Sequence, residues 1–251
     1  MRKVHVVMKK EDIKAGKWSK QSVAVVFDVL LATSSIVSAL ANGAKEVIPV
    51  LHKEEARDKA RIYPVEDTII SGKYNGITIE GFHPPNPLWL RNNIRNKRLI
   101  LSTTNGTVAI RNAANASPLY LCSLLNIDAV AESILKEQNE EIVLICSGSG
   151  GSFSMEDFFG AGALVEALSE KEELMLSDAA LTARHLYRVH RLNPYRLLTE
   201  TRVGNMLMEF GLEQDIQYVA TLNKYTIAPV YEKTRGTIKE VTNHEYSSEV
   251  E

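Results

Sequence analysis

VAVVFDVLLATSSIVSALANGAKEVIPV, residues 23–50, sets the fold class. Residues 23–27 form an unbroken β-branched and apolar run, the pattern of a strand covered on both faces. Asp28 ends that run. Thr33, Ser34 and Ser35 follow and lead into IVSALANG, a helical pattern of small residues with Gly43 just past its end. VIPV at 47–50 is the next strand. Strand, polar turn, helix and strand in succession make a βαβ unit, whose crossover is right-handed.

Two further segments repeat the device: LILSTTNGTVAIRNAA at 99–114 and VLICSGSGGSFSMEDFFGAGALVEAL at 143–168. Each is a buried strand, a turn of Gly, Ser, Thr or Asn, and a helix of small residues. Outward from these units, strands are expected at 4–8, 118–124, 215–223 and 226–232. Helices are expected at 52–63, 128–138, 177–190 and 193–211, the last stopped by Gly211. Residues near 64–97, with Gly72, Gly76, Gly81 and HPPNP at 83–87, read as an irregular excursion. The alternation predicts an α/β fold, three-layer α/β/α with a mixed, mostly parallel sheet, as a single domain over 1–234. The polar, acidic stretch 235–251 is expected to be disordered.

Composition narrows the function. The chain has 251 residues, 45% hydrophobic and 24% charged, with formal net charge −2. That balance gives no nucleic-acid footprint. No run reaches the ~20 apolar residues that span a bilayer, and the N-terminal MRKVHVVMKKEDI lacks a secretory apolar stretch. Two cysteines, Cys122 and Cys146, in a chain this long fit a reducing compartment. A cytoplasmic protein is expected, free of membrane and nucleic-acid partners, with a homo-oligomer left open.

The three turns are the candidate site. A helix N-terminus offers unpaired N–H groups and the positive end of its dipole. Glycines let backbone approach an anion, and hydroxyls add donors. Ser, Thr and Asn at helix starts also serve simply as N-caps. Converging beyond the carboxyl ends of their strands, the turns would cradle a phosphate through Thr33, Ser34, Thr103, Thr104, Asn105, Gly106, Ser147, Gly148, Ser149, Gly150 and Gly151. Asp28, with Glu156 or Asp157, could hold Mg²⁺, which takes one or two carboxylates plus phosphate and water. Glu156 and Asp157 could equally just complement a helix dipole.

Several phosphate chemistries lack their residues here. There is no G-x-x-x-x-G-K-[ST]. Val29 and Leu30 follow Asp28, so a second aspartate two residues on is missing. Cys146 begins a loop resembling C-x₅-R, but Ser152 stands where arginine would grip phosphate and lower the thiol pKa. The histidines show no zinc-site spacing. A structural Cys146 is expected.

VVFDVLLATSSIVSALANGAKEVIPV, LSTTNGTVAI, ICSGSGGSFSMEDFFGAGALVEAL and SDAALTARHLYR together resemble the 2-phosphosulfolactate phosphatase family, over roughly residues 3–231. The resemblance implies a Mg²⁺-dependent acid phosphatase acting on a small phosphorylated acid and releasing sulfolactate, a step toward coenzyme M in some archaea. With that activity, Asp28 and a carboxylate of the Glu156–Asp157 pair are the expected catalytic and metal-binding residues. The chain departs from the family pattern at Leu31 and Ser152, where arginines are usual, and at His83, where an aspartate is usual. A degenerate relative that only binds a small anion is the alternative reading.

Overall fold

The computed structural model describes residues 1–14, 22–74 and 76–240. In chain order the described elements are β1 (Arg2–Val7), β2 (Ser22–Phe27), α1 (Ala32–Ala41), β3 (Glu46–Val50), α2 (Lys53–Ala60), β4 (Thr68–Tyr74), β5 (Ile77–Thr78), α3 (Pro87–Asn93), β6 (Arg98–Ser102) and α4 (Gly106–Ala113). They continue with β7 (Leu119–Cys122), α5 (Ile127–Lys136), β8 (Glu141–Cys146), α6 (Met155–Ser169), β9 (Leu174–Leu176), α7 (Asp178–His190), α8 (Pro194–Glu200), α9 (Arg202–Glu209), α10 (Glu213–Val219), β10 (Pro229–Glu232) and β11 (Thr237–Glu240).

All strands join one sheet in the order β5-β4-β6-β3-β11-β10-β7-β2-β8-β1-β9. It contains two parallel blocks, β4-β6-β3 and β7-β2-β8-β1-β9. The hairpin β10–β11 lies between them, antiparallel to both. Helices cover the sheet in the expected three-layer α/β/α arrangement: α6 packs on α5, α7, β2 and β8, while α1 packs on α3, β3 and β7. Every residue of β2 is buried, as the unbroken apolar run requires. Phe27 and Phe159 are wholly enclosed between sheet and helices; truncating either to alanine should cost about 3–5 kcal/mol. Among the described residues no helix is long and apolar enough to cross a membrane.

Four expectations need correction. The excursion near 64–97 is ordered: β4 runs parallel to β6 in register Ile69↔Leu99, and α3 begins with Pro87 at its first turn. Frequent Gly and Pro concealed a strand whose pairing partner lies well downstream. The stretch 215–223 is not a strand. Its buried Asp215, Ile216, Tyr218 and Val219 follow helical spacing, and Glu213–Val219 is α10. The helix expected over 193–211 is two helices, parted at Thr201, whose hydroxyl accepts the Gly204 N–H. Finally, Thr237–Glu240 form β11, with Ile238 wholly buried opposite Val47. The rest of the tail, 241–251, lies outside the described residues.

Candidate active site

The carboxyl ends of β2, β6 and β8 open onto one cleft of about 300 Å³. β2 and β6 stand five positions apart in the sheet, on opposite sides of the hairpin. A twist of about 20–25° per strand accumulates over those steps and turns the two blocks toward each other.

Asp28 is the floor. It follows the last residue of β2 and is only 7% exposed. Its Oδ1 accepts the Ala32 N–H at 3.2 Å, at the start of α1. It also accepts the Gly106 N–H, at the start of α4. Only glycine allows this second approach: a Cβ on Gly106 would lie 2.6 Å from Asp28 Oδ2. Thus two helix N-termini from different βαβ units close on one carboxylate, where their dipoles favour negative charge.

Thr33 and Ser34, expected to face a ligand, are turned inward. The Thr33 hydroxyl donates to Asp28 O and accepts from Asp28 N, and Ser34 Oγ donates to Val29 O at 2.8 Å. Both are fully buried and stitch the β2–α1 turn. Thr103, Thr104 and Asn105 do line the cleft, as do Ser149 and Gly150. Ser147 is wholly buried, its amide donating to Phe27 O. Gly148 sits at φ +68°, where a Cβ would also be 2.7 Å from Ser152 O, so the turn requires glycine. The carbonyl of Gly151 accepts from Lys9 Nζ at 3.1 Å.

Glu156 and Asp157 lie behind the cleft, buried at the start of α6. Asp157 Oδ1 accepts the Val29 N–H at 2.8 Å and Oδ2 accepts the Gly148 N–H at 3.1 Å. Its carboxylate therefore ties the β2–α1 turn to the β8–α6 turn. Glu156 is bonded by the hydroxyls of Ser154 and Thr201 and feels the charge of Arg202.

Burial dominates the electrostatics. It pushes Asp28 from its ordinary 3.8 up to about 6, aided by Glu156 and opposed by the Ala32 and Gly106 N–H groups and by Lys10. Burial also raises Glu156, and raises Asp157 well above its usual value, with Asp28 and Glu156 adding repulsion. Three acids thus share a region where burial and mutual repulsion outweigh the charges of Lys10 and Arg202, and a further cation would relieve it. Among the described residues no three His, Cys, Asp or Glu side chains form a ready cation cage. With both Asp157 oxygens already bonded to backbone, Asp28 is the carboxylate that lines the cleft. One carboxylate, with water and a substrate's phosphate, is a donor set Mg²⁺ commonly takes.

The cations near the cleft escaped the sequence reading. Lys10 is 8% exposed; its Nζ donates to Asn105 Oδ1 at 3.0 Å and pairs with Glu11, and its backbone N–H donates to Ser147 O. Lys73 and Arg202 also line the cleft, with Gly76, Pro85, Val203, Met206 and Leu207, and Arg202 reaches the Ser149 turn. Of the departures from the family pattern, Leu31 lines the cleft, Ser152 closes the Ser149 turn, and His83 stacks on Trp89 at 4.6 Å. The Cys146 thiol is wholly buried and raised well above its usual pKa by burial and then by Asp157 and Glu156. That is the reverse of what thiolate chemistry requires.

A model of the 2-phosphosulpholactate phosphatase family matches residues 7–234. A probable 2-phosphosulfolactate phosphatase of Clostridium acetobutylicum is 36% identical over 239 residues, covering 94% of this chain and 99% of that protein. One from Clostridium perfringens is 38% identical over 226 residues, 88% of this chain and 90% of its own. One from Symbiobacterium thermophilum is 37% identical over 219 residues, 86% and 93%.

Proposed function

The chain belongs to the 2-phosphosulpholactate phosphatase family, and from that premise we propose that it hydrolyses 2-phosphosulfolactate, or a closely related small phosphorylated acid, to the free hydroxy acid and phosphate. The observation that carries this reading is Asp28, a buried carboxylate held between two helix N-termini on the floor of a cleft walled by hydroxyl- and glycine-rich turns.

In this reading the cleft faces of Thr103–Asn105 and Ser149–Gly150 receive the phosphoryl oxygens. Lys10, behind Asn105, and Arg202, whose Nη2 donates to Ser149 O at 2.9 Å, keep those faces positive and fixed. Fixed donors aimed at the developing charge stabilise the transition state without reorganising. Asp28 is the residue that would hold Mg²⁺, and the bound ion would supply Lewis-acid polarisation of the phosphoryl group. Glu156 and Asp157 hold the turns around it: Asp157 sets the spacing between Val29 and Gly148, and Glu156 anchors the start of α6 to Thr201.

The test is a turnover assay of 2-phosphosulfolactate and a panel of small phosphate esters, each with Mg²⁺ and with EDTA. Hydrolysis that is selective for the phosphorylated acid and lost in EDTA supports the reading. Failure to turn over any ester leaves only an anion-binding protein of this fold.

A further inference from the structure

The cleft is larger than a phosphoryl group needs. Its 300 Å³ equals about ten waters at ~30 Å³ each, while the floor and the two turns account for one anionic group. The lining also carries two cations, Lys73 and Arg202, that make no hydrogen bond to Asp28. Lys73 projects from β4, half-buried, and among the described residues its ammonium has no hydrogen-bond or ion-pair partner. A partly desolvated, unpaired ammonium is unfavourable unless something negative completes it. Burial pulls the Lys73 pKa below its usual value, and the acid whose charge opposes this is Asp215. That carboxylate is already engaged, accepting the Leu88 N–H at 3.1 Å. Arg202 opens α9; one of its N–H groups is spent on the Ser149 carbonyl, and the guanidinium lines the same cleft. Around both cations the wall is apolar, from Pro85, Val203, Met206 and Leu207. Such a wall strengthens a charge–charge contact relative to open water.

We infer that Lys73 and Arg202 form a second anion subsite, which binds the acid group of the substrate remote from the phosphate, a sulfonate or a carboxylate. The inference rests on the phosphatase reading for its substrate and gives that site its selectivity: a phosphate ester with a second negative group engages both the floor and these cations, and a neutral ester does not. Guanidinium offers a planar fork for an oxyanion and ammonium a compact charge, so the two are complementary rather than redundant.

The experiment compares parent, Lys73→Met, Arg202→Met and Lys73→Arg on 2-phosphosulfolactate, 2-phospholactate and phenyl phosphate. Methionine keeps the unbranched stem that lies in the wall, and thermal melts identify any variant that has not folded. For Lys73→Met, kcat/KM on 2-phosphosulfolactate relative to phenyl phosphate should fall about 10- to 100-fold, chiefly through KM; Arg202→Met, which also loses the bond to Ser149 O, should lower turnover of both esters as well as that ratio. Lys73→Arg should recover most of the loss. The 2-phospholactate arm separates carboxylate from sulfonate recognition: a similar fall there assigns the subsite to the carboxylate, and a small one assigns it to the sulfonate. A ratio that stays within about twofold of the parent in both folded Met variants overturns the inference. Calorimetric titration with sulfolactate, which needs no turnover, keeps the two readings separate. If the parent hydrolyses nothing but binds sulfolactate, and Lys73→Met weakens that binding tenfold or more, the phosphatase reading fails and the subsite stands. Equal sulfolactate affinity in parent and both Met variants, or none in the parent, overturns the subsite.

Discussion

On the floor of the cleft, Asp28 is gripped by N–H groups from two helix starts, and Gly106 has no room for a methyl group. Elsewhere in the lining, in the part called the roof, Lys73 and Arg202 extend from a strand and a helix start beside Met206, with Gly76 of the β4–β5 turn packed on Met206 and Phe210. The floor is positioned by backbone contacts that tolerate no added atom. The roof is built of long side chains that can shift by rotamer. The division teaches where chemistry and where recognition belong: phosphoryl transfer needs fixed geometry, whereas discrimination between small acids needs only a change of roof side chain.

The largest effect should come from crowding the floor. In Gly106→Ala the new methyl group would press on Asp28 Oδ2 and Ala32. Turnover should fall by about 10³-fold or more, and the protein should lose about 1–3 kcal/mol from overpacking. Steady-state kinetics and denaturant melts would show both. Activity within tenfold of the parent would break the contrast, since the floor would then be as forgiving as the roof.

Protonation tests the same floor more gently. The folded chain holds the Asp28 proton up to about pH 6, and the unfolded chain releases it near 3.8. Between those values the native state binds more protons, so stability is greatest below the lower value and falls as pH rises through the window. The rise is worth about 3 kcal/mol for Asp28, and Glu156 and Asp157 act in the same direction. Metal-free protein should therefore melt higher at pH 5 than at pH 8, and Asp28→Asn should flatten the dependence. A profile equally steep in the variant would assign it elsewhere. Proton and cation compete for one carboxylate, so Mg²⁺ affinity should climb with pH up to about 6 and level off above it. Calorimetry at several pH values checks this.

Much of the floor was legible because it is local. Strand, Gly- or Ser-rich turn and small-residue helix fall within consecutive residues at 23–50, 99–114 and 143–168, and the structure opens all three turns on one cleft. What local pattern could not tell was which hydroxyls turn inward: Thr33 and Ser34 bond only the backbone of their own turn, whereas Thr103 lines the cleft while its hydroxyl also accepts the Thr107 N–H. The roof was hidden for a different reason. β4 is recognisable only by its pairing with β6, and Lys73 looked like any polar residue in a Gly-punctuated stretch. Lys10 was concealed in KKED, a run that reads as solvated until β1 is placed beside β8. β11 owes its order to β3 and β10, not to its own composition.

The smallest effect should be at Cys146. The thiol closes β8 inside the core and lines no part of the cleft wall. Cys146→Ser should leave turnover per folded molecule within about tenfold while costing about 1–3 kcal/mol for a buried hydroxyl. A loss of about 10³-fold with the fold intact would point to a cysteine nucleophile.

If Asp28 holds the Mg²⁺ on which hydrolysis depends, the decisive comparison is hydrolysis of 2-phosphosulfolactate by the parent and by Asp28→Asn, with Mg²⁺ titrated calorimetrically into both. The parent should turn the ester over with Mg²⁺, and the folded variant should lose about 10³-fold in kcat together with measurable Mg²⁺ binding. Unchanged turnover and unchanged Mg²⁺ affinity in a folded Asp28→Asn would contradict it.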